Sequence, residues 1–362
     1  MPKIRVLVVD DAVVMRKMIT DVLARDPQIE VAGTAANGKI ALQKLPQTNP
    51  DLVTLDVEMP EMDGLATLRE IRKTYPKLPV IMFSTLTAKG ATTTLDALTF
   101  GATDYVTKPA NVGSVGEGIQ RLESELVPKI KAHCRHLRSD GPPGEHTQFI
   151  SRLKPVPLAP RTVSRPVDLV CIGTSTGGPN ALAEVFKSFP KDFPVPIVIV
   201  QHMPPMFTAL LAERLGAGSQ IKFFEGQHGQ QILPGCAYIA PGGKHMEVKR
   251  DGLKTILQLH EGPPENSCRP AVDVLFRSAV NAYGATALGV ILTGMGQDGL
   301  RGCQLLRERG GYIIAQDEKS SVVWGMPGCV AQAGIADSII PLDRVCNEVV
   351  RKVRESRTAK AA

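Results

Sequence analysis

The sequence predicts an α/β protein of two units, each built on a mostly parallel sheet, and three observations carry that expectation. Short apolar runs rich in Val and Ile alternate with segments of helical period over residues 3–127, and again over 167–357. Between them, residues 128–166 hold seven prolines and eight Lys or Arg against two acids. Such a stretch buries too little apolar surface to offset the entropy of ordering it. At 362 residues the chain also exceeds what one hydrophobic core ordinarily serves. The expected division is therefore 1–127, a proline-rich basic linker over 128–166, and 167–357.

In the first unit, IRVLVV, EVAGTA, DLVTLD, PVIMFS and DYVTK read as strands. VMRKMITDVLA, KIALQKL, GLATLREIRKTY and ATTTLDALTFG read as the helices between them. Near-continuous apolar strands that alternate with helices imply a parallel sheet covered on both faces. The second unit repeats the scheme. VDLVCIG, PIVIVQH, AYIAP, LKTILQL, ATALGVILTG and GYIIAQD are its strands; NALAEVFKSF, TALLAERLG, AVDVLFRSAVNAYG and DRVCNEVVRKVRE are its helices. This predicts a doubly wound sheet. The two units share a class but no motif, so there is no internal repeat.

Composition excludes several function classes. No apolar run reaches the ~18 residues that span a bilayer, and MPKIRVLVVDD ends in two acids, not at a small-residue cleavage site. The expectation is a cytoplasmic chain that is not inserted in a membrane. The net charge of +6 belongs to residues 128–166, since 34 basic and 34 acidic residues remain elsewhere. That balance argues against a nucleic-acid-binding domain, which would carry a basic face on folded structure. Seven scattered cysteines without a C-x-x-C pair predict reduced thiols, not a disulfide or zinc framework.

Two constellations carry chemistry. In open parallel sheets, ligands sit beyond the carboxyl ends of the strands. Asp10 and Asp11 follow IRVLVV, Asp56 ends DLVTLD, Ser84 ends PVIMF, and Lys108 precedes Pro109 after DYVT. Gathered carboxylates repel one another unless a cation neutralises them, and oxygen-only ligands suit a hard ion such as Mg²⁺. A carboxylate beside such an ion and a lysine is able to accept a phosphoryl group. These motifs resemble a response-regulator receiver domain, which implies a five-stranded flavodoxin-like fold. The resemblance implies Asp56 as phosphoacceptor, Asp10 and Asp11 as Mg²⁺ ligands with Asp56, and Lys108 on the phosphoryl oxygens. It also implies Ser84 as the switch hydroxyl, with Thr85 as its rival, and Tyr105 as the switch aromatic. Gly90 stands as an extra residue between Ser84 and Lys108.

In the second unit, VDLVCIG runs into GTSTGGPNALAEV, a strand-to-helix turn whose glycines expose Ser175. The same pattern also suits a phosphate cradle, so the turn alone decides nothing. A serine nucleophile needs a base. Of seven histidines, 133, 136 and 146 fall in the expected linker, and only His202 ends a strongly apolar strand. The base needs an orienting carboxylate; Asp298, in the loop GMGQDG after ALGVILTG, is the candidate, and Asp317 after GYIIAQ its rival. Backbone N–H groups around Thr176 and Met295 are the candidates for an oxyanion hole.

GTSTGGP, QHMPP, YIAPG, GMGQDG and QDEKSSVVWGMP resemble the catalytic domain of chemotaxis protein-glutamate methylesterases, the CheB family. The resemblance implies hydrolysis of glutamate methyl esters, and deamidation of glutamines, on methyl-accepting chemotaxis receptors. It implies no cofactor for that reaction and a CheA-type histidine kinase as phosphodonor. Three positions depart from the pattern: Met206 stands where glycine is expected, and Cys268 and Ala271 flank Arg269–Pro270 where histidine and serine are expected. Two sites in one chain lead to a further expectation, that the unphosphorylated first unit docks over the Ser175 cleft and blocks large substrates.

Overall fold

The computed structural model describes residues 3–109, 115–134 and 166–361, and the chain divides into two compact units, Met1–Pro142 and Pro143–Ala362. The first unit runs β1 (Ile4–Val9), α1 (Val13–Ala24), β2 (Ile29–Ala35), α2 (Gly38–Thr48), β3 (Leu52–Asp56), α3 (Gly64–Thr74), β4 (Val80–Ser84), α4 (Ala88–Thr99), β5 (Asp104–Thr107) and α5 (Val115–His133). All neighbouring strands are parallel, in the order β2-β1-β3-β4-β5. This is the flavodoxin-like arrangement, with β3, β4 and β5 buried at every residue because helices cover both faces. Side chains set the helix starts: Asn37, Asp63 and Thr87 accept the amides of Ile40, Ala66 and Gly90 at 2.9, 2.7 and 3.0 Å.

The expected boundary at residue 128 is corrected by α5, which continues through Pro128 to His133. Leu122, Leu126, Ile130 and Cys134 recur every four residues and are all buried, so the helix has an apolar stripe that outweighs the local cost of one proline. The basic residues here are partnered, not solvated. Lys129 Nζ lies 3.2 Å from Asp104 Oδ1, Lys131 pairs with Asp26, and buried His133 lies 3.3 Å from Asp104 Oδ2. The rest of the expected linker, residues 135–165 with His136 and His146, lies outside the described residues.

The second unit runs β6 (Leu169–Thr174), α6 (Gly178–Phe186), β7 (Ile197–Gln201), α7 (Phe207–Ala217), β8 (Lys222–Glu225), β9 (Cys236–Ile239), β10 (His245–Asp251), β11 (Lys254–His260), α8 (Val272–Tyr283), β12 (Ala287–Ile291), α9 (Leu300–Glu308), β13 (Tyr312–Gln316), α10 (Met326–Gln332), β14 (Ser338–Ile340) and α11 (Leu342–Ala361). Seven strands form one parallel sheet in the order β14-β13-β12-β6-β7-β9-β8. LKTILQL, expected as a strand, is β11, but it pairs antiparallel with β10 in a separate hairpin. Gly252-Leu253 turns that hairpin, with Gly252 at φ 57°. The core joins buried residues of the central strands to Leu275, Phe276 and Ala279 of α8.

Candidate active site

The winding of the seven-stranded sheet reverses between β6 and β12, and the crevice beyond the carboxyl ends of those strands is where such a sheet receives a ligand. Ser175 follows β6, His202 follows β7, and the loop after β12 carries Asp298. Backbone bonds lace the three loops together: His202 N donates to Thr174 O and Ser175 N to Thr293 O, each at 3.1 Å. Gln201 Nε2 adds bonds to Ser175 O at 2.9 Å and His202 O at 3.1 Å. A Cβ on Gly294 would stand 2.4 Å from Met326 Sδ and 2.9 Å from Ser175 Cβ; glycine there lets the Asp298 loop lie against the serine. The three residues thus lie at one edge of the sheet.

His202 Nε2 and Asp298 Oδ2 are 2.8 Å apart. Asp298 also accepts Val272 N at 2.6 Å, Asn266 Nδ2 at 2.8 Å, and Asp273 N and Gly299 N at 3.0 Å. Val272 and Asp273 open α8, so the carboxylate sits on a helix N-terminus. Burial pushes the Asp298 carboxyl up, but His202 and these amides outweigh it and hold it below the usual carboxylate range. Burial lowers the His202 imidazole, while Asp298 and the Cys268 sulfur outweigh it and raise it above its ordinary value. Asp317 is engaged elsewhere, accepting Ser320 N at 3.0 Å and Ser320 Oγ at 2.6 Å.

With Nε2 on the carboxylate, Nδ1 is the nitrogen left to face a substrate. Cys268 Sγ lies 3.5 Å from it, while the half-buried Ser175 hydroxyl forms no hydrogen bond among the described residues. The Thr176 and Met295 amides likewise donate to no protein acceptor among the described residues. Sequence reasoning placed Cys268 beside the site but missed its contact with the imidazole, and it missed Asn266 and Gln201 altogether. The one available signal was Asn266-Ser267, a turn-forming pair; both residues adopt positive φ, 53° and 61°.

In the first unit, ligand oxygens of Asp10, Asp11 and Asp56 lie within 4.8 Å of one another. Lys108 Nζ stands 2.9 Å from Asp10 Oδ2 and 2.7 Å from Asp56 Oδ2, a charge contact that leaves both buried oxygens without a well-directed hydrogen bond. Burial raises the Asp56 carboxyl to about 6, the Lys108 contact lowering it and Asp10 adding to the rise. Ser84 is fully buried, and its hydroxyl donates to Thr85 O at 3.2 Å. Thr85 Oγ1 is 3.1 Å from Thr87 Oγ1. Gly90 is pressed against both, since a Cβ there would meet Thr85 O at 2.6 Å. Tyr105 is buried, with Lys129 Nζ 5.0 Å from its ring centre.

Comparison with known proteins separates the two units in the same way. The CheB methylesterase family matches residues 170–349, and the response regulator receiver domain matches residues 6–120. A protein-glutamate methylesterase/protein-glutamine glutaminase of Trichodesmium erythraeum is 51% identical over 98% of this chain and 100% of its own length. The chain belongs to the CheB methylesterase family. A Nocardioides protein of the same name is 49% identical over 99% of this chain and 97% of its own. The Thermotoga maritima CheB methylesterase catalytic domain, a crystal structure, covers 51% of this chain and 98% of its own at 40% identity and a TM-score of 0.50.

The departures from the CheB pattern now have physical content. Met206, where glycine is expected, holds φ 72°, a left-handed conformation that glycine adopts freely. Ala271, where serine is expected, gives α8 no side-chain cap, and Asp298 takes the amides of Val272 and Asp273 instead.

Proposed function

We propose that this chain is a phosphorylation-regulated protein-glutamate methylesterase and protein-glutamine deamidase whose nucleophile is Ser175. Its substrates are methyl-accepting chemotaxis receptors, on the cytoplasmic side of the membrane; no described helix is long and apolar enough to cross one. The observation that carries the reading is the His202–Asp298 pair at 2.8 Å, tied by backbone bonds to the Ser175 turn at the switch crevice of a CheB-family chain.

Ser175 Oγ attacks the γ-acyl carbon while His202 Nδ1 takes its proton, and Asp298 on Nε2 stabilises the imidazolium. The Thr176 and Met295 amides, which have no protein acceptor among the described residues, hold the oxyanion. Collapse of the tetrahedral adduct expels methoxide, which leaves as methanol with the His202 proton. Water then repeats the sequence on the acyl-enzyme and releases glutamate. With a glutamine, ammonia leaves instead. Removing the hydroxyl tests the reading: Ser175→Ala is expected to release no methanol from methyl-labelled receptor membranes while keeping its circular dichroism spectrum. Release within tenfold of the parent rate would exclude Ser175 as nucleophile.

In the first unit, Asp56 is the proposed phosphoacceptor, Lys108 the group on the phosphoryl oxygens, Ser84 and Tyr105 the switch pair, and a CheA-type histidine kinase the phosphodonor. The all-oxygen donor set of Asp10, Asp11 and Asp56, with two buried oxygens lacking directed partners, fits Mg²⁺. When bound, that ion neutralises charge on the phosphoryl oxygens.

A further inference from the structure

We propose that His202 and Cys268 form a binding site for a thiophilic divalent cation, Zn²⁺, and that the bound cation stops ester cleavage. The inhibitory effect rests on the reading of His202 as the base; the binding itself does not. Cys268 Sγ stands 3.5 Å from His202 Nδ1. A zinc ion holding a thiolate at ~2.3 Å and an imidazole at ~2.0–2.1 Å in tetrahedral geometry sets sulfur and nitrogen roughly 3.6 Å apart. The two donors are already at ligand separation.

Their orientation is fixed from behind. His202 Nε2 is held by Asp298 at 2.8 Å, and Asp298 is itself held by Asn266 Nδ2 and the amides of Val272, Asp273 and Gly299. A carboxylate on the far nitrogen of a ligating histidine fixes ring and tautomer and raises ligand basicity. Cys268 is presented by a tight turn, in which its N and O pair with Glu265 at 2.9 and 3.1 Å and Asn266 and Ser267 hold positive φ. Both donors are partly exposed, so the ion reaches them from solvent, and water fills the two remaining positions.

Coordination replaces the thiol proton by the metal and releases it to solvent. It also takes the Nδ1 lone pair that the serine proton needs. The carboxylates at Asp10, Asp11 and Asp56 form an oxygen-only set that millimolar Mg²⁺ occupies, leaving the mixed nitrogen–sulfur site to a softer ion.

The test uses the full chain in Mg²⁺ buffer. Titration with Co²⁺ is expected to raise a thiolate-to-cobalt band in the near ultraviolet at one equivalent. Zn²⁺ displaces that band and inhibits ester cleavage, and a chelator reverses the inhibition. Cys268→Ser, its fold checked by circular dichroism, loses the band and weakens Zn²⁺ inhibition by at least about tenfold. Cys268→Ala repeats the comparison, and Cys329→Ser keeps both responses. Absence of the band, or equal Zn²⁺ inhibition with and without the thiol, overturns the proposal. A chain that shows the band but cleaves no ester in zinc-free buffer supports the metal site and sinks the hydrolase reading instead.

Discussion

Asp298 accepts His202 Nε2, Asn266 Nδ2 and three backbone amides, so an amide at 298 would turn a donor toward donors. Asp298→Asn is therefore expected to lower kcat by about four orders of magnitude, the scale seen when an orienting carboxylate is lost, and also to lower Tm. A kcat within tenfold of the parent would remove Asp298 from the mechanism. At Met206 the backbone holds φ 72° with the side chain 43% exposed, so little packing offsets a strain of about 1–3 kcal/mol. Met206→Gly should raise the urea midpoint by the equivalent of ~1 kcal/mol with an unchanged slope, after glycine's greater unfolded-state entropy is allowed for. A lower midpoint would mean that Met206 makes stabilising contacts. The placement of Ser175, His202 and Asp298 at one sheet edge was legible in the sequence because each follows an apolar strand, and parallel strands send their carboxyl ends to one edge. The contact of Cys268 with His202 was not, because it depends on two left-handed residues in a turn, which no periodicity encodes.

The strands of both sheets were readable as Val- and Ile-rich runs, since burial on both faces removes polar residues from them. Helix α5 was misread at its end because Pro128 and the side chains of Lys129, Lys131 and His133 resemble a linker until their partners are known. Burial pushes the Asp104 carboxyl up, yet Lys129 and His133 hold it below the usual carboxylate range. Burial lowers the Lys129 ammonium, which Asp104 and Glu125 raise above its ordinary value. A depressed carboxyl adds stability above its unfolded value and loses it as the pH falls through the folded one. A raised ammonium adds stability below its unfolded value and loses it as the pH rises through the folded one. The clasp between β5 and α5 thus acts across the neutral range. Lys129→Met leaves the Asp104 charge buried with His133 alone and is expected to destabilise the first unit by ~3 kcal/mol at pH 7. The deficit should shrink toward pH 3 as the variant's Asp104 takes up a proton, read from urea melts at both values. A pH-independent deficit would assign the loss to packing of the lysine stem.

At the scale of the whole chain, the order of units was legible because 128–166 interrupts two alternating patterns. If the unphosphorylated first unit excludes large substrates from the Ser175 cleft, phosphorylation at Asp56 must act on receptor cleavage far more than on cleavage of a small soluble methyl ester. A shift of 1.4 kcal/mol in that equilibrium changes the open fraction about tenfold. Full-length chain given Mg²⁺ and a small acyl phosphate is accordingly expected to release methanol from receptor membranes about tenfold faster, with a much smaller change on the small ester. Asp56→Asn should show neither response. Equal acceleration on both substrates would mean that phosphorylation changes the chemistry of the His202–Asp298 pair and not access to it. No acceleration on either would leave the acid cluster around Asp56 without a regulatory role.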